Sequence, residues 1–374
     1  MTDGLPQQWS AWAARRPEFR GSHLNSAAAG RNSWAVLQAV ADHALLEAQV
    51  GACVAEEAAQ PVLEAGRARL AGLLGVPADG VAFVEHASAG LAAVLSAWPL
   101  PEGAAVGVVA SEWGPNLEAF AGRGLSLVEL PSDGHGALDL DALPRMLGSS
   151  PPAVVHLTQL AAHRGLVQPV AAAAAVCRAA GVALWVDAAQ ALGHVDTACG
   201  ADVLYATGRK WLCGPRGVGV LAVAQQCWDT LRVTVSAMAP AGWPTVRHLE
   251  SHDAHVAGRV GLCTALDEHV ADDPAAVWQR LDEVGRLTRD ALADLPGWQV
   301  VAARAGSGAI TALRPTAGQD VQAVCRQLLA EDRILATASL PARAPREMAT
   351  PLLRIAGHVD CTPEQLVALR TALS

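Results

Sequence analysis

The stretch at 182–219, VALWVDAAQALGHVDTACGADVLYATGRKWLCGPRGVG, constrains the fold more than any other part of the chain. It opens with an unbroken apolar run, 182–186, closed by Asp187. A short apolar run without polar alternation is the pattern of a strand covered on both faces, inside a parallel sheet. A second short strand is expected over 202–206, followed by Thr207, Gly208, Arg209 and Lys210 and then by a glycine-rich turn, Gly214-Pro215-Arg216-Gly217-Val218-Gly219. Open α/β sheets bind ligands at the carboxyl ends of their strands. The stretch therefore sets an acid and an amine at the ends of two strands on one sheet edge. The amine has no substitute, because Lys210 is the only lysine in the 374 residues.

The rest of the composition narrows the class. The chain is 52% hydrophobic and 17% charged, enough for a large core and for one large and one small domain. A net charge of −9 without a basic cluster speaks against nucleic acid. No apolar run reaches the roughly 18 residues of a membrane span, and no basic-then-apolar leader opens the chain. The eight cysteines show no CxxC pair, so they read as small buried hydrophobes in a reducing cytoplasm rather than as ligands of a metal. His248, His252 and His255 share one polar loop, but nothing close by completes a closed metal site, and no metal is expected.

Read in order, the chain predicts helices over 34–49, 62–74, 91–98, 138–147, 170–180, 258–270, 274–292, 321–331 and 363–373. Strands are expected over 81–84, 106–110, 125–130, 153–158 and 221–223, and in the tail over 298–302, 309–313, 334–336 and 352–356. The strand at 81–84 runs through a turn of small residues, Ala87-Ser88-Ala89-Gly90, into a helix. Such a turn offers free N–H groups to an anion, with Ser88, Ala89 and Gly90 as the candidates.

VDAAQ and TGRKWLCGPRG together resemble the class V aminotransferase family of fold-type-I pyridoxal phosphate enzymes, which includes cysteine desulfurases, kynureninases and isopenicillin-type epimerases. Asp187, Gln190, Lys210 and Gly214-Pro215-Arg216-Gly217 match that family's pattern, while Thr207 stands for its Ser and Arg209 for its His. The resemblance implies a mostly parallel seven-stranded sheet between helices in a large domain, 25–272, and a small α+β domain formed by 1–24 and 273–374. It implies pyridoxal 5'-phosphate as cofactor, with Lys210 as the Schiff-base lysine and the base at the substrate Cα. Asp187 would face the pyridine nitrogen, Trp113 would stack on the ring, and Ser88, Ala89, Thr207 and Arg209 would hold the phosphate. The segment His23–Gly30 would enter the site and bring Asn25, and Arg354 would bind the substrate carboxylate with its planar fork.

Three departures from the family pattern shape the expected reaction. The Asn that normally meets the cofactor hydroxyl falls on Ala162, leaving Gln190, His163 or Gln159 to cover that oxygen. The Thr that reaches a partner subunit's phosphate falls near Asp253. The loop 336–352, which carries the catalytic Cys of desulfurases, contains none. The expectation is a homodimer with shared sites, acting on a small molecule. The reaction expected is β-elimination from a cysteine S-conjugate sulfoxide, releasing pyruvate and ammonia. Another class V activity (aminotransferase, desulfurase-like or epimerase) is the alternative. Trp113, His163, Asp253 and Glu250 are the candidates for holding the rest of the substrate.

Overall fold

The computed structural model describes residues 5–234, 242–251, 253–301 and 308–374. Helix α1 (Gln7–Ala14) and the two-residue strand β1 (Ser22–His23) precede two long helices, α2 (Trp34–Val50) and α3 (Ala52–Leu74). The central part then alternates: β2 (Val81–Val84), α4 (Ala87–Ala97), β3 (Ala105–Val108), α5 (Gly114–Gly122), β4 (Ser126–Glu129), α6 (Leu143–Ser149), β5 (Val154–Thr158), α7 (Val170–Ala180), β6 (Ala183–Asp187), β7 (Val203–Thr207) and β8 (Gly219–Val223). Helices α8 (Val256–Ala271) and α9 (Pro274–Leu292) lead to β9 (Trp298–Val300), β10 (Ile310–Pro315), α10 (Val321–Glu331), β11 (Ile334–Leu335), β12 (Thr337–Ser339), β13 (Leu352–Ala356) and α11 (Pro363–Leu373).

Seven strands form the central sheet in the order β2-β8-β7-β6-β5-β3-β4. β8 alone runs against its neighbours. Successive residues of each central strand face opposite sides. Leu184 and Val186 join one hydrophobic cluster while Trp185 joins the other, and Leu204 and Tyr205 divide likewise. That two-sided burial is why these strands carry no polar alternation. A four-stranded sheet, β12-β13-β10-β9, is built from the tail. The segment before α2 straps it to the central part: Ser26 N–H donates to the Ala356 carbonyl at 2.9 Å and Gly30 N–H to the Arg209 carbonyl at 2.8 Å. The strap lies so close that a Cβ on Gly30 would overlap the Lys210 carbonyl.

The helices depart from their sequence reading in several places: α5 lies where none was expected, and α4 takes in the turn expected at 87–90. The helix expected over 62–74 begins ten residues earlier, as α3, with Pro61 inside it. Ala55 and Ala59 continue the buried face of Leu63, Gly66, Leu70 and Leu74, and that packing tolerates the lost proline N–H. The helix expected over 138–147 starts only at Leu143, as α6, because Leu138 pairs with Ser132 and donates its N–H to Gln168 Oε1 at 2.8 Å. The expected strand end Ala302 lies outside the described residues.

Glu250 is corrected from substrate contact to structural tie. It is buried and accepts from Phe83 N–H at 3.1 Å, from Arg67 Nη1 and from Arg259 Nη1 at 3.0 Å. It thus joins β2 to α3 and α8, and the two guanidiniums flank the Phe83 ring. Removing one member of a buried ionic cluster strands the others without solvent. Glu250→Ala is expected to cost about 3–5 kcal/mol in urea unfolding. A loss below about 1 kcal/mol would contradict this role.

Candidate active site

The register of β5, β6 and β7 sets Thr158 opposite Asp187 and Asp187 opposite Tyr205, so β5 and β6 end together and β7 runs two residues further, to Thr207. Just beyond their ends lies a cavity of about 240 Å³. Ser88, Trp113, Asp187, Gln190, Thr207, Arg209 and Lys210 line it, all anticipated from the sequence. His86, Thr158 and Arg343 line it too, and sequence reasoning missed them. A cue existed for His86 in its place before the small-residue turn: its Nδ1 accepts from Ala89 N–H at 3.1 Å and caps α4. Accepting at Nδ1 leaves the proton of the neutral ring on Nε2.

Asp187 is almost fully buried, and burial raises its carboxyl above the usual carboxylate range. Two donors oppose that rise, Asn116 Nδ2 at 2.9 Å on Oδ2 and Ala189 N–H at 2.8 Å on Oδ1. Asn116 is itself oriented by Glu112 Oε1 at 2.9 Å. Glu112 has no exposure, and burial alone would raise its carboxyl. His156 Nδ1 at 2.9 Å, Thr158 Oγ1 at 2.5 Å and Asn116 outweigh burial and hold it low. His156 Nε2 lies 2.7 Å from the Tyr205 hydroxyl. A closed polar chain thus runs from Tyr205 to Asp187 beneath the cavity floor.

The cavity wall is rich in cations. Burial first, then the charges of Arg209, Arg354 and Arg343, push the Lys210 ammonium down to about 7, and Asp187 only partly opposes them. Among the described residues, Arg209 and Arg343 make no hydrogen bond or ion pair through their guanidiniums, and burial lowers both. Arg354 has no exposure and sits behind the wall, pushed down to about 9 by burial and by the other two arginines. Its Nη1 donates to the Ala162 carbonyl at 2.9 Å and its Nη2 to Asn25 Oδ1 at 3.4 Å, while its Nε has no partner.

Several expected residues stand elsewhere or are already engaged. Ala89 and Gly90 spend their N–H groups on the His86 carbonyl at 2.9 and 3.1 Å, so the donors at the start of α4 move back to Ala87 and Ser88. Gln190 donates to the Ala27 carbonyl at 2.8 Å and accepts from Trp211 Nε1 at 2.9 Å. Gln159 Nε2 is held by the Asp196 carbonyl at 2.7 Å. His163 does not reach the cavity; it bonds Glu347 at 2.7 Å beside a different cleft. Gln190 still lines the cavity, and one of its two amide N–H groups has no partner among the described residues, so of the three expected stand-ins for the Asn lost at Ala162 it is the one at the cavity. Asp253 is exposed and absent from the cavity wall, and His252 lies outside the described residues. No group of ligating side chains suits a metal among the described residues.

These residues fit pyridoxal phosphate. Asp187 is a buried carboxylate at the cavity with no cation bonded to it, as a protonated pyridine requires. Guanidiniums without acidic partners and the start of α4 suit a phosphate. Trp113 offers a flat aromatic face, and Lys210 is the amine. Because Lys210 is the only lysine, its protonation can be followed directly. In cofactor-free protein, acetylation of Lys210 by acetic anhydride, read by peptide mass, is expected to rise with pH through a midpoint near 7. A midpoint near the ordinary lysine value of about 10.4 would refute the burial argument.

Comparison with known proteins agrees. The family model "Aminotransferase class-V" matches residues 23–335. A protein of Mycobacterium tuberculosis named a probable hercynylcysteine sulfoxide lyase is 46% identical over 97% of this chain and 92% of its own length. A cysteine desulfurase of Serratia proteamaculans is 29% identical over 66% of each chain. The crystal structure of a cysteine desulfurase from Escherichia coli superposes with a TM-score of 0.84 at 22% identity, covering 97% of both chains. The chain is a pyridoxal phosphate-dependent enzyme and belongs to the class V aminotransferase family.

Proposed function

We propose that this enzyme is a carbon–sulfur lyase that cleaves hercynylcysteine sulfoxide by β-elimination to ergothioneine, pyruvate and ammonia. The observation that carries the reading is the 46% identity, over nearly the full length, to a relative named for that activity. The loop 336–352 supports it: with no Cys there, a sulfur relay of the desulfurase kind has no thiol to use.

Bound in the cavity, pyridoxal phosphate supplies an electron sink for the carbanion formed at the substrate Cα. Asp187, fixed by Asn116 and Ala189, would keep the pyridine nitrogen protonated. Ser88, Thr207 and Arg209, which line the cavity, would hold the phosphate. Arg354 takes the substrate carboxylate by turning its fork from the Ala162 carbonyl and Asn25. Lys210, with its ammonium already down to about 7, is a neutral base in a large fraction of molecules at neutral pH and removes the Cα proton. The Cβ–S bond then breaks, and its electron pair leaves on sulfur as a sulfenate. Water hydrolyses the three-carbon enamine to pyruvate and ammonia, and two electrons from an external thiol reduce the sulfenic acid to the thiol.

A cytoplasmic setting suits this chemistry and the eight unpaired cysteines. No helix among the described residues is long and apolar enough to cross a membrane. We also propose a homodimer. Trp34, Leu37, Leu45 and Val50 on α2 and Val54 and Val62 on α3 leave large apolar side chains exposed, a face suited to a second copy. Sedimentation at assay concentration is expected to give a dimer; an active monomer overturns this part.

The purified enzyme, supplied with hercynylcysteine sulfoxide and dithiothreitol, is expected to form pyruvate without any 2-oxo acid. Arg354→Ala should lower kcat/KM at least about tenfold, because a charged hydrogen bond contributes about 1.5–3 kcal/mol. Turnover that required a 2-oxo acid and yielded no pyruvate would make the enzyme an aminotransferase.

A further inference from the structure

The cavity holds more cation than the proposed reaction has so far used. Lys210, Arg209 and Arg343 stand on its wall with Arg354 behind, and among the described residues Asp187 is the only carboxylate lining it. Cofactor phosphate and substrate carboxylate engage Arg209 and Arg354. Arg343 is left over. A partly buried guanidinium without an acceptor is costly, so its presence at a ligand cavity points to an oxygen acceptor on the ligand.

Arg343 is also held firmly. It ends a short 3₁₀ turn, Pro341–Arg343, that packs on the first turn of α5. There Gly114 leaves the space, since a Cβ on it would overlap the Ala342 carbonyl. Arg343 N–H donates to the Leu340 carbonyl at 2.9 Å, and the next residue, Ala344, has no exposure. Downstream, Glu347 anchors the loop on His163 at 2.7 Å and on Arg164 at 2.5 Å. The guanidinium carbon lies 5.6 Å from the centre of the Trp113 ring. It lines the same cavity as Lys210, and its charge acts on both Lys210 and Arg354.

We propose that Arg343 is the specificity residue for the oxidised sulfur: its guanidinium donates to the sulfoxide oxygen of the substrate and holds the oxyanion that gathers charge as the Cβ–S bond breaks. The inference rests on the sulfoxide lyase reading. A sulfoxide oxygen is a strong acceptor, and it becomes a sulfenate oxygen on cleavage, so the contact strengthens along the reaction. The corresponding thioether offers no such oxygen. Arg343 then contributes to both KM and kcat for the sulfoxide and to neither binding nor orientation of the thioether.

The test compares wild type with Arg343→Gln in the holoenzyme. It uses hercynylcysteine sulfoxide as substrate and the thioether hercynylcysteine as competing ligand. Arg343→Gln is expected to lower kcat/KM for the sulfoxide about 10- to 100-fold, with part of the loss in kcat. The inhibition constant of the thioether should stay within about twofold, and the visible cofactor band should be unchanged. Sulfoxide turnover kept within twofold overturns the inference. So does equal weakening of thioether and sulfoxide, which marks Arg343 as a structural brace for Trp113. Wild-type enzyme that forms no pyruvate from the sulfoxide overturns the lyase reading instead, and with it the ground for this one.

Discussion

A carboxylate buried at the end of a central strand is the constraint on which the rest of this site depends. Asp187 loses water at the sheet edge, and burial acts against its charge. It is kept in place by two donors from different parts of the chain, Asn116 on α5 and the Ala189 N–H just beyond β6. Asn116 can aim one N–H at Asp187 only because Glu112 fixes the amide from the other side. Glu112 in turn is saturated by Trp113 N–H, Thr158 and His156. The polar chain therefore joins the ends of β5, β6 and β7 to the start of α5 and sets Trp113 beside the cavity. A half-satisfied network in such a place would be worse than an apolar one, and this one, being satisfied, holds Asp187 rigidly.

The cationic wall follows from the opposite imbalance. Four positive groups share a water-poor space with one carboxylate, and burial is the largest cause lowering each of them. Such an arrangement is unfavourable alone and favourable around anions. The strap at Leu24–Gly30 adds to it by closing the site from the tail side. Leu24 and Ser26 pair with Ala356, Ala27 meets Gln190, and Gly30 meets Arg209. Arg354 on β13 and Lys210 just beyond β7 thus belong to two sheets joined by one short segment.

Much of this was legible in the sequence because it is local. Apolar runs ending in Asp187 and Thr207, the lone lysine and the bounds of α9 follow from patterns within a few residues. What was not legible depends on sheet order. His156 meets Glu112 and Tyr205 across 44 and 49 residues, and only the neighbouring of β5, β6 and β7 brings them together. Glu250 read as a ligand of the substrate because it lies in a polar loop, yet that loop returns to the β2 edge, where two arginines wait. His163 failed for the same kind of reason, since Glu347, 184 residues away, captures it. Arg343 carried no local signal, because only the packing of the 341–343 turn on α5 brings it to the cavity.

The two roles asked of burial at this site pull in opposite directions, and the order of the causes settles them. In the proposed reaction Lys210 is a base near neutral pH, which requires a depressed ammonium. In that proposal Arg209 and Arg354 bind anions, which removes their share of the field that depresses it. If neighbouring charge were the main cause, binding the phosphate and the carboxylate would restore an ordinary lysine and spoil the base. Burial is the larger cause, ahead of Arg209, Arg354 and Arg343. Ligands that fill the cavity exclude still more water, so desolvation deepens as the field weakens. The proposed reaction therefore draws its depressed lysine first from burial at the strand ends, with Asp187 opposing and the charges of the three arginines adding less.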